Sequence, residues 1–242
     1  MAQSDPSFTF AGKAVEDFGL FFVGKDPFKA AVRNYTNVVV PGRIGELTYE
    51  DDSMNNARVP YHFAGKSGAV ARSRDFYSYL LSFKGYQLMT DETDEDHFFL
   101  GRPAGLTDGT AGAGYNSAAC TIEFDMMPQR WLYDGDEWQT VTSGMVLDNP
   151  TWHKAKPLIE VVGTGTVTIG DNSVTVNYNP NRMYIDAENE IVYDPDQGTN
   201  YGTYANVSGD FLPLAPGTNT ITLTGFSATG NVVRIKPRYY DL

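Results

Sequence analysis

Hydrophobic and polar residues alternate along much of the chain, with the two-residue period of β-strands that bury one face. The alternation is clearest after position 157, where turn residues separate short runs. Six runs place apolar residues two positions apart: Val167 and Ile169, Val174 and Val176, Met183 and Ile185, Ile191 and Tyr193, Ile221 and Leu223, and Val233 and Ile235. These strands, with no helical period among them, predict a compact β-sandwich.

Turn-forming residues stand between these runs. Gly170-Asp171-Asn172 predicts a hairpin between the first two runs, and Ala187-Glu188-Asn189-Glu190 predicts one between the third and the fourth. The predicted sandwich is therefore built largely from sequence neighbours that pair in antiparallel fashion.

The first 149 residues carry shorter alternating runs, which predict a second β-sandwich. The predicted strands are 35–40, 58–63, 97–101, 118–125 and 137–141. One segment has a different period, because Phe76, Tyr79, Leu80 and Phe83 recur at spacings of three and four. This apolar stripe predicts a single helix over 69–83. The expected fold class is mainly β, with two β-sandwich domains, the first containing one helix.

We place the domain boundary at Asp148-Asn149-Pro150, because a proline after a polar pair ends a strand and can begin a linker. The expected domains are therefore 1–149 and 150–242. Most of the acidic surplus of the chain precedes this point.

Composition excludes several classes of protein. The formal net charge is −12 and the pI is near 4.6, whereas a protein that grips nucleic acid needs clustered Lys and Arg. The single cysteine, Cys120, excludes an internal disulfide and a cysteine-built zinc site. The first six residues lack the features of a secretory leader, and no apolar run approaches the ~20 residues that cross a bilayer. We expect a protein made in the cytoplasm, without membrane insertion.

No motif points to catalysis or to a cofactor. His62, His97 and His153 are scattered, and the chain contains neither a Gly-x-Ser-x-Gly elbow nor a His-Glu-x-x-His pair. The acidic run 91–96 lacks the glycine and the terminal glutamate of a calcium loop, which favours a solvated hairpin loop, with calcium as the alternative. We therefore predict no catalytic, cofactor or metal site, although unassigned carboxylate pairs leave a glycoside hydrolase as a third hypothesis.

The tryptophans raise an alternative function. Trp131, Trp138 and Trp152 could stack on sugar rings, as aromatic side chains do in carbohydrate-binding sandwiches, or they could pack within the protein. A lectin-like module that recognises glycans of the host cell surface is therefore the second hypothesis.

Several loose motifs follow one another along the chain in a recognisable order. The first half contains segments 38–47 and 59–63, the single helix, and segments 88–100, 120–125 and 128–132. The second half contains segments 149–151, 156–163, 183–186, 192–193, 209–221 and 235–238. This order of motifs resembles the distal tail protein family of long-tailed, siphovirus-type bacteriophages over nearly the whole chain.

This resemblance implies a structural protein of the virion tail tip or baseplate, with no enzymatic activity and no cofactor. It implies that the N-terminal domain forms a hexameric ring, single or doubled, and that the C-terminal domain is galectin-like and faces outward. The implied partners are the tail tube protein, the tail-tip hub protein and receptor-binding or baseplate proteins. DNA would pass through the central channel without specific binding.

Two features of the sequence bear on such a ring. Pro41-Gly42 predicts a tight turn that presents Arg43 at a loop tip, so Pro41, Gly42, Arg43 and Gly45 are candidate subunit-interface residues, with a salt bridge within the subunit as the alternative role of Arg43. The acidic surplus of residues 1–149 suggests a channel wall that repels DNA, or a surface that simply keeps the protein soluble.

Overall fold

The computed structural model describes residues 7–27, 32–66, 69–111, 117–177, 182–196, 199–200, 207–226 and 230–242. This described part is mainly β and contains one α-helix, α1 (Ala69–Leu81), and two short 3-10 helices, Val15–Phe18 and Tyr133–Gly135. None of the described helices has the length and apolar content needed to cross a membrane.

The strands follow one another along the chain as β1 (Phe8–Phe10), β2 (Lys13–Ala14), β3 (Leu20–Lys25), β4 (Arg33–Val38), β5 (Leu47–Met54), β6 (Ala57–Lys66), β7 (Gln87–Asp91), β8 (His97–Ala111), β9 (Ser117–Leu132), β10 (Gln139–Thr140), β11 (Met145–Asn149), β12 (Leu158–Val162), β13 (Gly165–Ile169), β14 (Asn172–Val176), β15 (Arg182–Asp186), β16 (Ile191–Asp194), β17 (Thr199–Asn200), β18 (Val207–Gly209), β19 (Gly217–Thr224), β20 (Val232–Lys236) and β21 (Tyr240–Asp241).

The chain divides into two compact units, residues 1–130 with Leu242 and residues 131–241. We expected the division near Asn149-Pro150, but β11 pairs with β19 of the second unit from Met145 to Asn149. The Asn149 side chain is buried and donates to the carbonyls of His153 (2.8 Å) and Leu214 (3.2 Å). Asn149-Pro150 is therefore a turn inside the second unit and not a linker.

The first unit is built on one sheet with the strand order β2-β1-β7-β8-β9-β6-β3. It curls, because Phe8 of β1 and Phe22 of β3 stand near opposite ends of this order and yet have ring centroids 6.1 Å apart. The expected pair of facing sheets is thus a single sheet that closes on its own apolar face. The core is rich in aromatic side chains and includes Phe8, Phe10, Phe22, Tyr61, Phe63, Phe76, Phe99 and Phe124.

Helix α1 covers one side of this core. Phe76 and Leu80 are fully buried, and the Tyr79 hydroxyl donates to the Phe10 carbonyl over 3.1 Å. The helix predicted over 69–83 is confirmed and ends two residues earlier than expected. Its apolar stripe could be recognised from sequence because a helix that lies on a core exposes its opposite face to water.

The second unit is a sandwich of two antiparallel sheets. One has the order β10-β20-β12-β15-β16-β17 and the other β11-β19-β13-β14-β18. Five of the six predicted pairs place at least one side chain in the core between the sheets, but Ile191 and Tyr193 lie on the outer face. The cause is register: Val192 pairs with the buried Ile185, so its neighbours on either side point outward.

Strands β4 and β5 form a separate two-stranded hairpin. It belongs to neither the curled sheet nor the sandwich, and its described side chains are largely exposed.

Candidate functional site

The predicted turn at Pro41-Gly42 forms the tip of the β4–β5 hairpin. Gly42 has φ +83°, and the Arg43 amide donates to the Val40 carbonyl over 3.1 Å, which is a type II turn with Pro and Gly at its two central positions. Arg43 forms no ion pair within the part of the chain that the structure describes. The turn is confirmed, and the role of its residues at a subunit interface stays a prediction.

The hairpin has two different faces. Directly paired residues share a face, so Val38 with Leu47 and Thr36 with Tyr49 form one side, while Asn37 with Thr48 and Tyr35 with Glu50 form the other. On the second side the Thr48 hydroxyl donates to the Asn37 side-chain oxygen over 2.9 Å. We call Val38, Leu47 and Tyr49 the apolar hairpin face.

This apolar face is open to solvent. Tyr49 is 69% exposed, Val38 and Leu47 are about half exposed, and Val39 and Ile44 continue the apolar surface around the tip. A two-stranded hairpin alone is marginally stable in water, and contiguous exposed apolar residues mark interaction surfaces. The exposed apolar residues of the hairpin therefore form a candidate interaction surface.

A second apolar surface lies on the outside of the curled sheet. Strand β3 is the last strand of the sheet, and its outward residues Phe21 and Val23 are both exposed. Phe21 pairs with Ala64, and Ala64 pairs with Ala119, so a row of residues without charge crosses β3, β6 and β9. We call Phe21, Val23 and Ala64 the β3 patch.

The three tryptophans lie in different environments. Trp131 is only 9% exposed and packs on Tyr240 with centroids 5.3 Å apart, so core packing explains it. Trp138 packs against Tyr184, and Trp152 is 89% exposed in the turn after β11. Among the ring contacts of the described residues, none joins one tryptophan to another.

Around Trp138, the outer face of the six-stranded sheet carries charges that are already paired. The buried Glu160 carboxylate lies 3.4 Å from the Arg234 guanidinium and 3.7 Å from that of Arg182. Burial, followed by the nearby Glu160 charge, raises the pKa of Tyr184. This face is a structural ion-pair network flanked by aromatic rings.

The acidic run 91–96 is also held by protein groups. The buried Asp91 accepts hydrogen bonds from the Tyr61 hydroxyl (2.9 Å) and from Lys25 Nζ (2.8 Å). Asp94 contacts His97 and Arg130. Burial, followed by the Asp91 charge, raises the pKa of Tyr61 well above its ordinary value. Two carboxylates of the run are thus engaged by the protein's own side chains, which the sequence pattern did not reveal.

No protein-family model and no curated protein sequence matches this chain. Solved structures do. The Dit protein (gp 19.1) of phage SPP1, described as a paradigm of the hub adsorption apparatus in phages that infect Gram-positive bacteria, has 13% identity and a TM-score of 0.65, over 95% of this chain and 96% of that chain. A chain of the phage p2 baseplate, in its activated conformation with strontium, has 10% identity and a TM-score of 0.51, over 92% of each chain.

These matches run through both units of the chain in one alignment. The resemblance to distal tail proteins is therefore confirmed at the level of the fold.

Proposed function

We propose that this protein is a structural component of a phage tail tip that joins the tail tube to the tail-tip hub. The observation that carries the proposal is the shared fold: 95% of this chain matches 96% of the phage SPP1 Dit chain. The location of this protein would be the virion, and its role assembly and not catalysis.

The exposed apolar surfaces support assembly into a ring. In a closed ring each subunit uses one surface to bind the next subunit and a different surface to bind the previous one. The first unit exposes two unlike apolar surfaces, the apolar hairpin face and the β3 patch, which supports assembly of this kind. We propose a ring of six subunits, single or doubled, built from the first unit.

The second unit would then carry the attachment of receptor-binding or baseplate proteins, and DNA would pass through the ring without specific binding. The net charge of −12 suits a conduit, because an acidic wall repels the phosphate backbone. In this proposal the second unit is galectin-like in architecture. A ring whose lumen is lined by Lys and Arg would contradict the conduit.

Carbohydrate binding is the second candidate, because Trp152 is exposed like a side chain available for stacking. A glycan array probed with the full chain and with Trp152→Ala tests it. Binding that disappears in the variant supports a lectin-like role, and an array without signal contradicts it.

The ring is tested by light scattering and negative-stain electron microscopy of the purified full chain over a range of concentrations. We expect particles of six or twelve subunits with a central channel. A protein that stays monomeric up to the highest concentration reached contradicts the ring. Neighbouring genes for a tape-measure protein and a tail hub protein would support the tail assignment independently.

A further inference from the structure

The two apolar surfaces of the first unit lie on different elements and are not covered by its own core. Most exposed large apolar side chains of this unit belong to the hairpin and its tip, and β3 contributes two more, Phe21 and Val23. Resting on the proposed ring, we propose that the apolar hairpin face of one copy docks on the β3 patch of the next copy.

The pattern of the hairpin supports a buried partner surface. On its polar side the Thr48 hydroxyl donates to the Asn37 side chain, whereas Val38, Leu47 and Tyr49 on its apolar side are exposed. Alternation of this kind is what a strand shows when one side is covered. Since no element of the described subunit covers that side, the cover comes from another molecule.

The position of the β3 patch indicates that the partner of the apolar hairpin face is a second copy of this chain. The β3 patch is also apolar and open, and it occupies the outer side of the edge strand, where a neighbour can approach. A heterologous contact between identical chains requires two unlike surfaces on each chain, and this unit has both. A second copy therefore accounts for both surfaces at once.

The charges at the borders of the two surfaces are complementary. Lys66 lies on the outer face of β6, two residues from Ala64, and forms no ion pair among the described residues. Glu46 directly precedes Leu47 of the apolar hairpin face and likewise forms no ion pair within the described ranges. Rim charges of opposite sign steer partners into register, although each contributes little to affinity.

The size of the contact agrees with a role as one part of a larger interface. Strand β4 has six residues, and at ~3.3 Å per residue and two strands ~5 Å apart the face covers ~200 Å². A stable protein interface buries ~800 Å² per partner. The hairpin would supply about a quarter of one interface and fix its orientation, and other surfaces of the ring would supply the rest.

Cysteine cross-linking between separately prepared variants tests the docking. Tyr49→Cys and Val23→Cys proteins are mixed and oxidised gently, and disulfide-linked pairs are counted on a non-reducing gel. The native Cys120 is buried and is present in every sample, so it does not distinguish one sample from another. A disulfide needs Cα atoms within about 7 Å, so it reports direct contact. We expect cross-linked pairs in the mixture and few with either variant alone.

The matched control is Tyr35→Cys mixed with Val23→Cys. Tyr35 is 60% exposed, close to Tyr49, but lies on the polar side of the same hairpin. We expect several-fold fewer cross-links for this pair. Equal cross-linking of both pairs would indicate random collision and would overturn the docking.

Light scattering of the same samples separates this inference from the proposed function. Rings that form without the cross-link between positions 49 and 23 overturn the docking but agree with the proposed ring. In that case a different tail protein covers the hairpin. Cross-linked pairs that never exceed a dimer support the docking and contradict the closed ring. A monomeric, uncross-linked chain at every concentration contradicts both.

Discussion

Phe21 and Phe22 are neighbours in β3 and point to opposite sides of the curled sheet. Phe22 is buried against the rings of Phe8, Tyr61 and Phe63, whereas Phe21 is 44% exposed on the outside. One strand therefore contributes a phenylalanine to the core of the subunit and another to its open surface. The two residues make stability and assembly separable by substitution.

Replacing these phenylalanines one at a time should separate an effect on stability from an effect on assembly. Phe22→Ala leaves a cavity in the aromatic core and should lower the free energy of unfolding by about 3–5 kcal/mol. Phe21→Ala removes a surface side chain and should change it by no more than about 0.5 kcal/mol, while it weakens assembly. Urea unfolding and light scattering of both variants measure this pair of results. A large loss of stability in Phe21→Ala would show that the side chain is covered within the subunit.

The tip of the hairpin should depend on glycine at position 42. Its φ of +83° is costly for a residue with a Cβ, by about 1–2 kcal/mol, so Gly42→Ala should loosen the turn. We expect faster hydrogen exchange of the Arg43 amide, which donates to the Val40 carbonyl. Gly105→Ala is the control, because an added Cβ there meets only a carboxylate oxygen at 3.8 Å. Unchanged exchange at Arg43 would contradict the strain.

Alkaline pH should destabilise the second unit through Tyr239. Burial, followed by the Asp148 charge, raises the pKa of Tyr239 to about 12, above the ordinary value of 10.0. The neutral hydroxyl is favoured in the folded state, so its contribution to stability is complete below pH ~10 and is lost as pH rises toward ~12. Tyrosine absorbance followed through an alkaline titration should show late-ionising groups, Tyr61 among them, and Tyr239→Phe should remove one of these groups. A titration identical in both proteins would reject the assignment.

Acid should weaken the turn that follows β15. Burial of Asp186 acts to raise the pKa of its carboxyl, but hydrogen bonds from Asn189 and Arg238 outweigh it and hold that pKa below its ordinary value. The carboxylate also accepts the Glu188 amide over 3.0 Å. Its contribution to stability is present above pH ~4 and lost as pH falls through the folded-state pKa.

The variant Asp186→Asn tests this turn. It removes the carboxylate charge that pairs with Arg238 at 2.7 Å and should cost about 3 kcal/mol near neutral pH, in the range for breaking a buried ion pair. It should also flatten the acid limb of the stability profile, measured by urea unfolding at a series of pH values. Asp171→Asn, in the turn between β13 and β14, is the control and should leave that limb unchanged.

The sequence was most informative where an element lies on its own core. The helix at Ala69–Leu81 and the strands around Val167, Val174 and Val233 were predicted correctly because one side of each contacts the interior and the other contacts water. Local turn chemistry was equally reliable, since Pro41-Gly42 and the turn at 187–190 depend on backbone preferences of a few residues.

What the sequence did not reveal depends on contacts between distant residues. The outward face of Ile191 and Tyr193 follows from the pairing of Val192 with Ile185, which spacing alone does not specify. A proline after a polar pair predicts a linker at Pro150, but hydrogen bonds of the Asn149 side chain hold this segment in a turn of the sandwich. The apolar hairpin face looks in sequence like any buried strand, because alternation does not say which molecule provides the cover.

Strand β3 also has a register that its neighbours fix, with an irregularity between Phe22 and Gly24 where it pairs with β6. A slip of one residue would turn Phe22 outward and Phe21 inward, because successive side chains alternate. Such a subunit would place Phe21 in the core instead of Phe22 and would remove Phe21 and Val23 from its outer surface. In the proposed ring the register of β3 would therefore be a condition for docking of the next copy.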